Sequence, residues 1–290
     1  MERGLDANDL ALLGWQNVRH RAYDEAVGCF VLALALRRGS PWWSLEGVPL
    51  PPERHSAIVN VLKLDHDIEQ FSYLLKNGPL PDRLVGVVGE YEALRRELAA
   101  TYGEGATIEL RRGLYPGFDA TYGLILRWRD TPLLPGPALG TSWNRSQAAA
   151  DYARPPGLCW VDGLLGPATL AELRAFCLES TIWNDHAHSF TTGDVVRGYL
   201  GTYAGDGFCC PLLFQIADEL ARALPSVFAD RPLRQMWAYK YKHSLSGIAA
   251  HGDDAAVNVN FWITPDAANL DPDGGGLLVY PVEAPADWRF

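Results

Sequence analysis

The feature that most constrains the fold is a change of period along the chain. Apolar residues recur at helical spacing through the first hundred residues, whereas two-residue alternation is confined to the last sixty. Helices first and strands afterwards predict an α+β protein rather than an alternating parallel sheet. A chain of 290 residues with 48% hydrophobic and 21% charged residues is long enough for one large domain or two modest ones.

The helical period is clearest in "LALLGWQNVRHRAYDEAVGCFVLALALRRGSP". Leu10, Leu13 and Gly14 form one burst, and Ala26, Phe30 and Ala33 a second, which predicts a helical hairpin. Leu13, Gly14, Tyr23, Ala26, Phe30 and Ala33 together resemble a tetratricopeptide repeat, in which small residues let two helices pack closely. The repeat's proline is displaced to Pro41.

A weaker pair follows. Ile58, Leu62, Asp65, Ile68, Phe71 and Leu75 keep a helical stride that Gly78-Pro79 ends, and "VGEYEALRRELAATYG" continues it. His66, set among carboxylates in "KLDHDIEQ", reads as a surface or capping histidine. These features predict a helical region over 1–130. The proline- and glycine-rich stretch 131–157 reads as a linker, and 158–290 as a second domain.

Within 158–290, "WVDGLLGPATLAELRAF" predicts a short strand and a helix carrying Leu170, Leu173 and Phe176, and "PLLFQIADELARALP" a further helix. Strand-like runs follow at "QMWAYKYKH", "AAVNVNFWIT" and "GGGLLVY". His251 and Asp253 stand two residues apart, so an extended backbone points both to one side. An imidazole and a carboxylate are two members of the facial triad that binds Fe(II) and leaves positions open. Behind them, Asn258 and Asn260 alternate with Val257, Val259 and Phe261, so one face carries amides that could line a polar pocket or meet water.

The order of an aromatic strand at Trp237–Tyr241, then H-x-D, a long strand and a Gly-Gly turn into Gly274–Tyr280 resembles the Fe(II)- and 2-oxoglutarate-dependent dioxygenases of the prolyl-hydroxylase-like branch. The resemblance covers roughly the C-terminal half. It implies a double-stranded β-helix (jelly-roll) domain, His251 and Asp253 as iron ligands, 2-oxoglutarate as cosubstrate and ascorbate as reductant. The resemblance sets Tyr241, at its spacing before H-x-D, against 2-oxoglutarate, the alternative being an ordinary core aromatic of the strand; Asn258 and Asn260 would line the same pocket.

The family carries a second metal-binding histidine and a basic clamp for 2-oxoglutarate farther downstream. Here no histidine follows His251, and Arg289 alone is basic. The β-helix is therefore expected to be incomplete, the chain a fragment or shortened product, and its activity doubtful. His243 precedes the pair, and His186 and His188 share a face if extended, but they lie in a polar stretch where a surface pair is the alternative reading, so the sequence assigns the third ligand position to none of them. Unpaired strand edges would favour self-association.

Other classes are limited by charge and composition. The net charge of −10, with only short basic pairs at Arg95-Arg96 and Arg111-Arg112, argues against nucleic acid. No apolar run nears the ~20 residues of a membrane span. Five cysteines without a C-x-x-C pair, and a start lacking a signal peptide pattern, suggest a reducing, cytoplasmic setting. Helical repeats beside an oxygenase suggest a protein or peptide substrate. The alternative is a non-catalytic interaction module that binds through its helices. A metal-binding cupin-like fold would leave the order around H-x-D without a reason.

Overall fold

The computed structural model describes residues 5–38, 56–78, 80, 82–111, 113–185, 199–241, 251–269 and 276–281. It is mixed helix and sheet, with nine α-helices and two antiparallel two-stranded sheets among the described residues. The chain divides into two compact units. The first comprises Met1–Pro132, Ala175–Pro211 and Leu233–Asp253, and the second Leu133–Arg174, Leu212–Pro232 and Asp254–Phe290.

The first unit opens with a hairpin of α1 (Ala7–Arg19) and α2 (Tyr23–Arg38). Asp6 starts α1 by accepting from the amides of Asn8 and Asp9 at 2.8 and 2.9 Å, while Asp9 reaches back to the Asp6 amide. This reciprocal cap satisfies amides that the first turn leaves without a partner. Gly14 lies against Phe30 so closely that a Cβ there would stand 2.8 Å from the ring. Ala26, Phe30, Ala33 and Leu34 are fully buried, so small residues and one aromatic knob set the helix separation.

Strand β1 (Ser56–Asn60) pairs with β2 (Thr107–Arg111), placing Val59 opposite Ile108. The helical stride expected from Ile58 therefore begins later, in α3 (Val61–Lys76). Asn60 marks the change by accepting the Lys63 amide at 2.8 Å. Helix α4 (Val85–Tyr102) packs on α3, and α5 (Pro116–Thr121) brings Phe118 onto Tyr91. Tyr91 meets Phe71 and Phe118 edge-on at 5.4 and 5.0 Å, and Phe118 stacks on Tyr122 at 4.6 Å. Offset and edge-on pairs of this kind add stability beyond the area they bury.

In the second unit, 133–157 is more than a linker. It carries α6 (Arg145–Tyr152) and buries Ala138, Leu139, Trp143 and Ala148. Leu139 forms a single β-bridge with Leu165, just ahead of α7 (Pro167–Glu179). Helix α8 (Pro211–Ala223) presents Glu219 to the amides of Ala138 and Leu139 at 2.9 and 3.0 Å. Gln215 of the same helix accepts the Leu134 amide and donates to the Gly136 carbonyl.

Strand β3 (Tyr199–Tyr203) belongs to the first unit and pairs with β4 (Trp237–Tyr241). The four-residue α9 (Pro225–Phe228) lies between α8 and β4 in sequence. The runs expected as strands at 257–264 and 276–280 carry no ladder pairing among the described residues. Alternation in sequence assigns faces, but a strand also needs a partner for its amides and carbonyls. No described helix is long and apolar enough to cross a membrane.

Candidate functional site

The register of β3 and β4 sets Tyr199 opposite Tyr241, Gly201 opposite Tyr239, and Tyr203 opposite Trp237. Directly opposed residues share a face of an antiparallel pair, as do residues i and i+2. One face of this sheet is thus four tyrosines, a tryptophan and a central glycine. The rings of Tyr199, Tyr239 and Tyr241 touch one another, with centroids 5.0, 5.8 and 6.2 Å apart. The hydroxyls of Tyr203 and Tyr239 lie 3.4 Å apart.

The glycine has a steric reason. Asp185 bridges to Gly201 through two backbone hydrogen bonds of 3.0 and 2.8 Å, adding one more rung beside β3. A Cβ at 201 would meet Asp185 Oδ2 at 2.9 Å and the Tyr239 ring at 3.1 Å. Only the missing side chain lets a carboxylate and a phenol close over the sheet.

Burial raises the Tyr203, Tyr239 and Tyr241 phenols above their ordinary value, and the Asp185 charge adds to the effect on Tyr203 and Tyr239. Asp253 acts on Tyr239 in the same sense, so the H-x-D carboxylate is within electrostatic reach of this face. All three phenols stay protonated near neutrality and can donate hydrogen bonds.

His251 Nε2 and Asp253 Oδ1 stand 3.7 Å apart, both partly open to solvent. Adjacent ligand atoms of an octahedral cation at about 2.1 Å lie about 3 Å apart, so a small closure lets this pair share one metal ion. The donor types and their spacing fit two positions of an iron site. Among the described residues, no group of three His, Cys, Asp or Glu side chains could hold a metal. His186, His188 and His243, along with Arg289, lie outside the described residues.

Tyr241 is 55% exposed at the edge of the aromatic face. Asn258 and Asn260 belong to the second unit and are exposed, as are Val259, Phe261 and Trp262. The second unit also has an open pocket of about 310 Å³ lined by residues that include Leu139, Arg145, Glu219 and Arg222, none of them expected site residues.

The opposite face of the sheet is closed by α3. Leu200 and Thr202 are buried, and Lys240 extends to Glu69 at 2.9 Å and to Nδ1 of His66 at 3.1 Å. His66 is 5% exposed, which corrects the surface or capping placement read from its charged neighbours. Those neighbours do not all face water: Lys63 and Asp67 form a buried ion pair one helical turn apart, and the Lys63 ammonium also faces the Tyr122 ring. Trp183 meets the His66 ring edge-on at 5.9 Å.

Sequence reasoning missed β3, Asp185, and the roles of His66 and Lys240. For β3 the available signal was "YLGTY", a short run bounded by tyrosines and carrying a threonine, residue types that favour strands. Comparisons with protein-family models, curated proteins and solved structures gave no match.

Proposed function

We propose that this chain belongs to the lineage of Fe(II)- and 2-oxoglutarate-dependent oxygenases of the prolyl-hydroxylase-like branch, with His251 and Asp253 as two iron ligands. The observation that supports this reading is the 3.7 Å approach of an imidazole and a carboxylate beside a face of protonated tyrosines. Iron held by this pair would supply hydroxylation of a C–H bond with dioxygen as the oxidant, 2-oxoglutarate giving up two electrons as it is decarboxylated to succinate and ascorbate keeping the metal reduced.

The chain's own residues have distinct tasks in this reading. His251 would bind through a neutral imidazole nitrogen and Asp253 through its carboxylate. The Tyr239 and Tyr241 hydroxyls offer hydrogen bonds to a carboxylate of the cosubstrate, and their rings exclude water from one side. His243, His186 and His188 are the candidates for the third ligand position.

The partner proposed is a protein or peptide. Leu12, Leu32 and Leu36 stand 57–62% exposed on the α1–α2 hairpin, an apolar surface suited to a binding partner. The same leucines favour the second reading, in which the helices bind and no chemistry occurs. Exposed Phe261, Trp262, Leu277, Leu278 and Tyr280 in the second unit support self-association through apolar edges.

Mn(II) in place of Fe(II) tests the site by calorimetry on the full chain. Stoichiometric binding that His251→Ala and Asp253→Ala each weaken at least tenfold is expected. Binding unchanged in both variants overturns the assignment. Succinate formed from 2-oxoglutarate with Fe(II) and ascorbate then separates an active enzyme from an inactive relative.

A further inference from the structure

We propose that His66 and Lys240 form a proton-sensitive latch that holds β4, the strand carrying Tyr239 and Tyr241, against α3. A lysine ammonium has three donors and no acceptor. Its nitrogen lies 3.1 Å from His66 Nδ1, so that ring nitrogen must offer a lone pair. The contact therefore assigns His66 as the neutral tautomer with its proton on Nε2. A second proton can bind only at Nδ1, where it would face the ammonium. Protonation of His66 and its contact with Lys240 exclude each other.

The surroundings decide which group yields. From α3, the ring is faced by Lys63, whose charge Asp67 partners, and by Gln70. From β4 it is faced by Lys240, which also pairs with Glu69. Among the described residues, the uncharged Trp183 ring also meets it edge-on. A buried imidazolium would thus have two cations nearby and little water. Lys240, with 44% of its side chain exposed, is free to swing out, whereas His66 is enclosed. Releasing Lys240 from His66 leaves only its more exposed Glu69 pair to tie it to α3, and so loosens the strand whose other face is the tyrosine cluster.

Geometry and acid strength agree. Burial lowers His66 well below its ordinary value of 6.5, the Lys240 and Lys63 charges lower it further, and Gln70 opposes them weakly. A group whose folded pKa is depressed takes up protons more readily in the open state. The latch is therefore fully engaged above about pH 6.5 and weakens as pH falls toward the depressed value. It stands on contacts within the first unit and needs no iron. Its effect on cosubstrate binding rests on the oxygenase reading.

The test uses the full chain labelled with ¹³Cε1-histidine, followed by NMR from pH 8 to pH 4.5. His66 should stay neutral well below pH 6.5, and Lys240→Met should raise its midpoint by about one pH unit. The Tyr239 and Tyr241 ring signals should change with the wild-type His66 midpoint. His66→Gln, which keeps an uncharged acceptor, should abolish that change. The proposal is overturned by a wild-type midpoint near 6.5, by a midpoint unmoved in Lys240→Met, or by a tyrosine transition that persists in His66→Gln. None of these readouts involves metal or 2-oxoglutarate, so failure here leaves the oxygenase reading to its own test.

Discussion

Tyr239 closes over Gly201 so tightly that a Cβ on residue 201 would lie 3.1 Å from the tyrosine ring and 2.9 Å from Asp185 Oδ2. The glycine sits opposite Tyr239 in the β3–β4 register, at the centre of the aromatic face. Gly201→Ala therefore forces either the carboxylate or the ring to move. Overpacking of this kind costs about 1–3 kcal/mol, which urea unfolding would measure. The near-ultraviolet tyrosine signal should change as well. A variant with wild-type stability and spectrum would mean that the face is looser than described.

Two glycines of the helical hairpin should respond in opposite directions. Gly14 has the Phe30 ring 2.8 Å from its Cβ position, so Gly14→Ala should destabilise by about 1–3 kcal/mol. Gly28 lies in α2, is exposed, and would bring a Cβ into open space. Gly28→Ala should stabilise by about 0.5–1 kcal/mol, because glycine loses the most backbone freedom in a helix. Thermal unfolding of the two variants side by side gives both signs.

The buried pair of Lys63 and Asp67 sets up a comparison of single and double variants. Burial lowers the Lys63 ammonium and raises the Asp67 carboxyl, so each works against ionisation and each relies on the other. Lys63→Met strands a buried carboxylate and should cost about 3–5 kcal/mol. Lys63→Met with Asp67→Leu removes both charges and should cost much less. Equal losses in the two proteins would mean that the pair is better solvated than its burial implies. Denaturant unfolding at pH 7 distinguishes these outcomes.

Thiol labelling gives a further check on the first unit. Burial is the main cause that pushes Cys177 up to about 12 and Cys209 well above the usual thiol range. Only the thiolate is alkylated quickly. Iodoacetamide at pH 8 should leave both residues unmodified in the native protein and label them after unfolding, as read by peptide mass spectrometry. Rapid native labelling of Cys209 would contradict its complete burial.

Much of the helical framework was legible because long segments with a 3.6-residue apolar period have few alternatives. Helices α1 to α4, α7 and α8 were read this way, and the aromatic run of β4 was read as a strand. The shorter elements were less accessible. Ile58 falls in step with the apolar stride of the following helix, since a short run such as Ala57-Ile58-Val59 fits a strand or a helix turn equally well. Strand β3 is defined by a partner more than thirty residues away, and nothing local specifies that pairing.

Burial of charged residues was harder still to read. "KLDHDIEQ" looks solvated, yet Lys63 and Asp67 neutralise each other and their mutual contact permits His66 to be enclosed beside them. The His251 and Asp253 spacing was readable from sequence, because a two-residue step on an extended backbone is a geometric statement. Asp185 was not, because its place beside Gly201 depends on a glycine sixteen positions later.

The discontinuous make-up of the first unit has a consequence for the order of events during synthesis. Its last segment, Leu233–Asp253, supplies β4, Lys240, His251 and Asp253 together. The segment that supplies most of α8 to the second unit is threaded in before it. A ribosome therefore releases the α1–α4 framework, with the Tyr199–Tyr203 segment awaiting its partner, well before the residues that complete the tyrosine face. A contiguous fragment ending before residue 233 would expose that half-built surface, so neither unit can be isolated by a single cut in the gene.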